Sequence, residues 1–462
     1  MRPPPPPPSS EVALATVPVA LARRLGVLPL AVEDGVLTVG AAAPVDPDDL
    51  EVLRVGAGAV AVVVRTVPGA AAWQLVTSGR RTLAPALAPA LAAPLAAAGP
   101  GPPDAVAVLD AVLDVAIGLD ASDVHLEGVP SGLRIRLRRD GALRDLGVLR
   151  TELRDQVVAR TKVRAGLDVT ERRTPQDGRL AHAVPGGDVD VRVATLPTRH
   201  GERVTLRILP RGPATAVDRL GLPAAVVAAL RAAGSAADGL VVLCGPTGAG
   251  KTTTLHAVLA DLAGGTRAVM TLEDPVERLV PGTTQTQVDP AAGLTFATGM
   301  RHLLRHDPDV LLVGEVRDAE TAALAVEAAR TGHLVLTTLH AVDAPGALDR
   351  LDELGVAPER AAGVLRLVVA QRLLTLPCPD CDAGGCRACD GTGARGRGAV
   401  AEALVWDAGL RAAVLAAPDA GRRRRALHLA CRPRLREVAL ARAAAGGARL
   451  AEARSATPDP DA

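Results

Sequence analysis

Leu240-Val241-Val242-Leu243-Cys244-Gly245-Pro246-Thr247-Gly248-Ala249-Gly250-Lys251-Thr252-Thr253 decides how this chain is read. A short apolar run feeds a glycine-rich loop, and Gly245 to Thr252 fits the pattern G-x-x-x-x-G-K-[ST]. Glycines in such a loop let successive backbone N–H groups turn inward around phosphates; the lysine reaches the β and γ phosphates and the Thr252 hydroxyl binds Mg²⁺. A bare match can arise by chance in a chain with 46 glycines. Here the apolar run before it reads as a buried strand, and Thr253 to Leu262 reads as a helix, the setting such a loop requires. Gly245, Pro246, Thr247, Gly248, Ala249, Gly250, Lys251, Thr252 and Thr253 are therefore the candidate nucleotide-binding residues.

Working outward, Val269 to Leu272, Val310 to Val313 and Leu334 to Thr338 are further apolar strands, separated by helical stretches such as Thr321 to Arg330. Strands alternating with helices predict a parallel sheet of the doubly wound type. Glu315 follows one strand through Gly314, and the carboxyl ends of strands are where such a sheet places its chemistry. It can orient and deprotonate a water, or bind Mg²⁺ through water; an acid at a strand end can also be a solvated turn.

Upstream, residues 104–213 read as a helix-plus-antiparallel-sheet module. Val106, Leu109, Val112, Leu113, Ala116 and Ile117 form one helical stripe after Asp104. Leu133 to Arg138 alternates with period two before the hairpin turn Asp140-Gly141, and Val189 to Ala194 and Val204 to Leu209 alternate in the same way. Residues 11–80 read as a small α/β module, with a helix expected at 21–25, short apolar runs at Leu28 to Leu30 and Val36 to Val39 around the turn Glu33-Asp34-Gly35, a helix from Asp46 to Leu53 and a strand at Val60 to Val64. Residues 81–103 are an Ala/Pro linker and residues 1–10 a disordered proline-rich tail.

The chain has 462 residues and balanced charge, with 52 basic and 51 acidic side chains, which argues against general attraction to nucleic acid or anionic lipid. Phe296, Trp73 and Trp406 are its aromatics, so the cores must be aliphatic. Lys162 and Lys251 are its lysines in an otherwise arginine-rich chain. No segment reaches 18 consecutive apolar residues, and the start lacks the apolar core of a signal peptide, so a cytoplasmic location is expected. There, two C-x-x-C pairs point to metal rather than disulfides. Cys378, Cys381, Cys386 and Cys389 form two knuckles able to hold one tetrahedral Zn²⁺, while Cys244 and Cys431 read as buried thiols.

Five further stretches carry a resemblance. Thr271-Leu272-Glu273-Asp274-Pro275-Val276-Glu277, Leu304 to Asp318, and Thr331-Gly332-His333-Leu334-Val335-Leu336-Thr337-Thr338-Leu339-His340-Ala341 look like the aspartate, Walker B and histidine boxes of the ATPases of type II secretion and type IV pilus assembly. Ala121-Ser122-Asp123-Val124-His125-Leu126-Glu127 and Pro175-Gln176-Asp177-Gly178-Arg179 resemble hallmarks of their preceding domain. The resemblance is strong from about residue 104 to about residue 402. It implies an α/β fold: a RecA-like P-loop ATPase domain at 214–462, carrying a zinc-binding insert at 378–389 and a helical C-terminal tail. A PAS-like domain at 104–213 and the small N-terminal domain precede it.

The resemblance further implies ATP hydrolysis in a homohexamer. Glu315 is then the Walker B glutamate that activates water, Glu273 assists metal or water, and His333 and His340 sense the γ-phosphate. Arg192 and Arg207 fall where the family supplies arginine fingers; a solvated face of an arginine-rich strand is the alternative. An inner-membrane platform protein and a membrane-anchored docking protein are the implied partners, attaching the motor peripherally to the inner membrane. The N-terminal module lacks the leading Leu- and Gln-bearing segment through which some relatives bind cyclic di-GMP, so that ligand is not expected. A nucleic-acid translocase on the same core lacks aromatics for base stacking, and a non-hydrolysing scaffold would not need intact Lys251, Thr252, Glu273 and Glu315.

Overall fold

The structure is a computed structural model. It describes residues 27–41, 47–66, 105–149, 151–184, 187–210, 215–381, 392–431 and 433–457, with the single positions 17, 45, 212, 385, 386 and 389. The expected helix at 21–25, Asp46, the linker at 81–103 and the tail at 1–10 lie outside the described residues. The chain divides into two compact units, residues 1–209 with 378–393, and residues 210–377 with 394–462. The boundary falls beside the expected one near 213, but the cysteine segment, expected within the ATPase domain, groups with the first unit.

In the first unit, β1 (Val27–Glu33) and β2 (Val36–Ala41) pair antiparallel as a hairpin about the expected turn. Its turn needs Asp34 and Gly35 at positive φ, 50° and 77°, which aspartate and glycine tolerate. Helix α1 (Pro47–Gly56) then returns the chain so that β3 (Ala61–Thr66) pairs parallel to β2. Val27, Leu30, Leu37, Val39 and Leu53 close a small aliphatic core.

The second module of that unit opens on α2 (Ala105–Gly118), whose predicted stripe is buried through Leu109, Val112, Leu113 and Ala116. It continues with β4 (Asp123–Val129), β5 (Gly132–Arg139), β6 (Ala142–Leu149), α3 (Thr151–Arg164), β7 (Gln176–Val184), β8 (Gly187–Thr198) and β9 (Gly201–Ile208). The strands pair antiparallel in the order β6-β5-β4-β9-β8-β7. Period-two alternation puts Leu133, Ile135, Leu137, Val191, Val193, Val204 and Leu206 into the core and the arginines between them onto the other face. Lys162 on α3 is fully buried: its ammonium donates to Glu202 Oε1 (2.7 Å) and to the Glu171 carbonyl (2.6 Å), tying α3 to β9.

The second unit contains α4 (Ala224–Gly234), β10 (Gly239–Cys244), α5 (Lys251–Ala263), β11 (Val269–Glu273), β12 (Thr284–Gln287), α6 (Phe296–Leu303), β13 (Val310–Val313), α7 (Ala319–Arg330) and β14 (Leu334–Leu339). After them come α8 (Gly346–Glu353), α9 (Pro358–Val364), β15 (Leu365–Pro377), β16 (Ala394–Val405) and helices α10 to α13 (Ala408–Ala416, Ala420–Ala430, Leu435–Ala444, Leu450–Ala456). The sheet order is β12-β11-β13-β14-β10-β15-β16, parallel except for β16. Strands β10, β13 and β14 are buried at every position, as strands covered by helices on both faces must be. The expectation that a helical tail follows the cysteine cluster directly is corrected. The chain first returns as β16, which pairs antiparallel with β15 at the edge of the sheet. Among the described residues no helix is long and apolar enough to cross a membrane.

Candidate nucleotide site

All the parallel strands of the second unit end on one edge of the sheet, and the loop after β10 leaves that edge. Gly245, Gly248 and Gly250 adopt φ of 144°, 78° and 86°, values that side chains rarely tolerate. A Cβ on Gly245 would lie 2.5 Å from the Gln371 carbonyl oxygen, so the loop closes only with glycine there. Helix α5 starts at Lys251, aiming its first N–H groups at the loop, where an anion is favoured. The Lys251 ammonium is buried and donates to the carbonyls of Gly245 (2.7 Å) and Pro246 (3.0 Å). Burial lowers its pKa from the usual lysine range, while the nearby Cys244 and Glu315 act in the opposite sense.

Glu315 lies on the same edge, just beyond β13. Its side chain is 16% exposed, pairs with Arg317, and stands 3.7 Å from His340 Nε2. Gly314 and Thr338 hold this corner: the Gly314 N–H donates to the Leu272 carbonyl (2.8 Å) and the Thr338 hydroxyl to the Gly314 carbonyl (2.8 Å). His340 follows β14 and is half exposed, at 49%. The phosphate loop, Glu315 and His340 thus converge on one sheet edge.

The side chains of two expected site residues are engaged apart from this corner. His333 precedes β14, its carbonyl accepts from the N–H of Gly239 at the start of β10 (3.1 Å), and its ring Nδ1 lies 3.0 Å from the Ala328 carbonyl. The whole of β14 separates it from His340, about 20 Å at ~3.3 Å per residue. Within one chain His333 therefore sits at the opposite edge of the sheet from His340.

Glu273, expected to assist metal or water, is 3% exposed and already engaged. Its Oε2 lies 2.8 Å from His256 Nε2, and its Oε1 accepts from the Thr271 hydroxyl (2.7 Å) and the Gln285 amide (3.0 Å). Burial pushes its carboxyl pKa up, but the bonds from His256, Gln285 and Thr271 prevail and hold it below the usual range. Glu273 ties α5 to β11 and β12 behind the loop. The acid that reaches the surface there is Asp274, whose carboxylate is 4.0 Å from Arg317.

In the first unit, Arg192 on β8 stands directly opposite Arg207 on β9 and Arg179 on β7, so the three share a face. Arg207 is 55% exposed and its Nε donates to Asp123 Oδ1 (2.9 Å), which also accepts at Oδ2 from the Ser122 hydroxyl (2.8 Å). Arg192 is half buried. Arg179 was not singled out from sequence, although it ends the quoted Pro175–Arg179 stretch; strand register makes it part of the row.

The ligand sulfurs of Cys378, Cys381, Cys386 and Cys389 lie within 4.8 Å of one another. The separations Cys378–Cys386 (3.8 Å), Cys381–Cys389 (3.7 Å) and Cys386–Cys389 (3.8 Å) match the ~3.8 Å between thiolates each ~2.3 Å from a tetrahedral zinc. The N–H groups of Cys386 and Gly393 both donate to Cys389 Sγ at 3.1 Å. Against the upward push of burial they hold that thiol down to about 6. The four cysteines fit a zinc ion.

Comparison with known proteins agrees with this geometry. The family described as "Type II/IV secretion system protein" matches residues 103–455, three quarters of the chain. The chain belongs to this secretion ATPase family. A second description, the MshEN domain, matches residues 3–66. The chain is similar to the type II secretion system protein HxcR of Pseudomonas aeruginosa, 44% identical over 315 residues, which are 66% of this chain and 67% of that protein. It is also similar to the type IV pilus assembly ATPase PilB of Thermus thermophilus, 40% identical over 329 residues, 65% of this chain and 37% of that one. Among solved structures, the ATPase DotB of Legionella pneumophila superposes with TM-score 0.60 at 25% identity, covering 75% of this chain and 94% of that one.

Sequence reasoning missed several residues of this secretion-family ATPase. His256 and Gln285, which fix Glu273, carried no signal beyond being polar beside apolar positions. Gln371 and Arg372 did carry one: they are two adjacent polar residues inside the apolar run Leu365 to Leu376, and both prove buried, at 2% and 8% exposure.

Proposed function

We propose that this ATPase is the cytoplasmic motor of a type II secretion system or of type IV pilus assembly, working as a homohexamer. The convergence of the phosphate loop, Glu315 and His340 on one sheet edge supports this reading most directly. Loop amides and Lys251 bind the β and γ phosphates of ATP, and the Thr252 hydroxyl is the protein ligand for Mg²⁺, which offsets phosphate charge. Glu315 accepts a proton from the water that attacks the γ-phosphorus; ADP leaves with the bridging oxygen, and inorganic phosphate forms. His340, beside Glu315, orients the γ-phosphate. Arg192 and Arg207 neutralise the charge on the transferring phosphoryl group.

Cys378, Cys381, Cys386 and Cys389 hold one zinc ion, whose role is structural because four thiolates leave no coordination position for water. The N-terminal module docks a membrane-anchored partner, and the motor acts on an inner-membrane platform protein while attached to the membrane only through such partners. Nucleic acid and cyclic di-GMP are not ligands in this reading. The test is Mg²⁺-dependent phosphate release at increasing protein concentration. Specific activity should rise steeply as rings form and vanish in Lys251→Ala; full activity in a demonstrably monomeric sample contradicts the ring.

A further inference from the structure

Strand β15 runs past the end of its neighbour. Its last residue paired with β10 is Ala370, opposite Cys244, the residue before the phosphate loop. The next two residues, Gln371 and Arg372, therefore pass directly under the loop.

Gln371 touches the loop along its whole length. Its backbone oxygen lies 2.5 Å from the position of a Cβ on Gly245, and its Nε2 stands 2.8 Å from the position of a Cβ on Gly250. Both ends of the side-chain amide are engaged: Nε2 donates to the Ala249 carbonyl (2.8 Å), and Oε1 accepts from the Thr254 hydroxyl (2.8 Å). Those partners flank Lys251 and Thr252 on either side. Ala249 ends the loop and Thr254 lies in the first turn of α5. One buried amide thus sets the angle at which the loop enters the helix, and with it the direction of the N–H groups that bind phosphate.

Arg372 extends the connection sideways. Its guanidinium donates through NH1 to the Gln371 carbonyl (2.9 Å) and through NH2 to the carbonyl of Val342 (2.6 Å). Val342 is two residues beyond His340. The same guanidinium lies 3.0 Å from where a Cβ on Gly245 would be. The floor of the phosphate loop and the segment carrying His340 are therefore joined through one rigid planar group. A lysine in its place would offer a compact point charge without the rigid planar fork that holds the two carbonyls at fixed positions.

We propose that Gln371 and Arg372 are positioning residues of the ATP site: Gln371 sets the phosphate loop in its nucleotide-binding shape, and Arg372 couples that loop to His340. The inference rests on the assignment of the loop as the ATP site.

The experiment measures ADP and ATP affinity by calorimetry, and turnover, on the full chain and on folded variants with wild-type circular dichroism. Gln371→Met keeps the side-chain size but removes both bonds, and should weaken ADP binding by ~10-fold or more. Thr254→Val removes one of them and should weaken it by ~3-fold to 10-fold, and adding it to Gln371→Met should cost nothing further. Arg372→Lys should lower kcat by ~10-fold in the wild-type background but by less than ~2-fold when His340 is already alanine. Wild-type ADP affinity in folded Gln371→Met and Thr254→Val overturns the first half. Multiplicative effects of Arg372→Lys and His340→Ala on kcat overturn the second. If the unaltered chain shows no nucleotide binding that Lys251→Ala abolishes, the ATP-site assignment itself fails, and this inference with it.

Discussion

Replacing Glu273 with glutamine separates a brace from a catalytic acid. The carboxylate is 3% exposed and accepts from His256, Thr271 and Gln285 at 2.7–3.0 Å. Glutamine keeps the shape and can still meet three partners, but it trades a charge-assisted bond to His256 for a neutral one, a loss of ~1.5 kcal/mol. For a unit of this size that lowers Tm by about 3–6 °C. Alanine strands the partners in a buried site and should cost ~3–5 kcal/mol. Because the bond joins α5 to β11, Glu273→Gln and His256→Ala should be coupled by ~1–3 kcal/mol in a double-mutant cycle read by thermal unfolding. The pH dependence has a definite sign. The folded-state pKa of Glu273 is depressed, so its stabilisation is complete above the ordinary carboxylate pKa of ~4.3 and is lost as pH falls through the lower folded value. The Tm difference between the protein and Glu273→Gln should therefore stay constant across neutral pH and shrink only in acid. If Glu273→Gln leaves Tm unchanged while abolishing turnover, Glu273 touches the reacting groups and the bracing role is wrong.

The two box histidines should part company. His340→Ala should lower turnover by at least ~10-fold, whereas His333→Ala should stay within about twofold and lose only ~1 kcal/mol of stability, read from steady-state rates and melting curves. Arg207→Ala should cut turnover by ~10³-fold while ATP still binds, and an unchanged rate in the Arg192→Ala/Arg207→Ala variant would remove the arginine row from catalysis. Elemental analysis of protein purified without an affinity metal should find one zinc per chain, and a Cys381→Ser/Cys389→Ser variant should lose it; four freely titrating thiols in the native protein would contradict the site.

The parallel core was readable because its strands are unbroken apolar runs and its loop has a fixed spacing of glycines and lysine. The turn at Asp34-Gly35 and the helix from Ala105 were readable for the same local reason. Strand β12 was not: Thr284-Gln285-Thr286-Gln287 is polar, and only pairing beside β11 makes it a strand. Helix α3 was hidden by its charge, its buried side reduced to residues such as Leu153, Val157 and Lys162. The partners of Gln371 lie over a hundred residues away, a separation no local pattern reports. The six residues of β14 lie between His333 and His340, so about 20 Å of extended strand parts the two positions, a separation implied by their spacing alone.

The central claim is that this chain hydrolyses ATP with Glu315 as the acid that takes the proton from water. The direct measurement is nucleotide affinity and phosphate release for Glu315→Gln beside the unaltered protein. ATP should bind with near wild-type affinity, because the loop and Lys251 are untouched, while phosphate release falls by at least ~10²-fold. Turnover by Glu315→Gln at the wild-type rate would contradict the account.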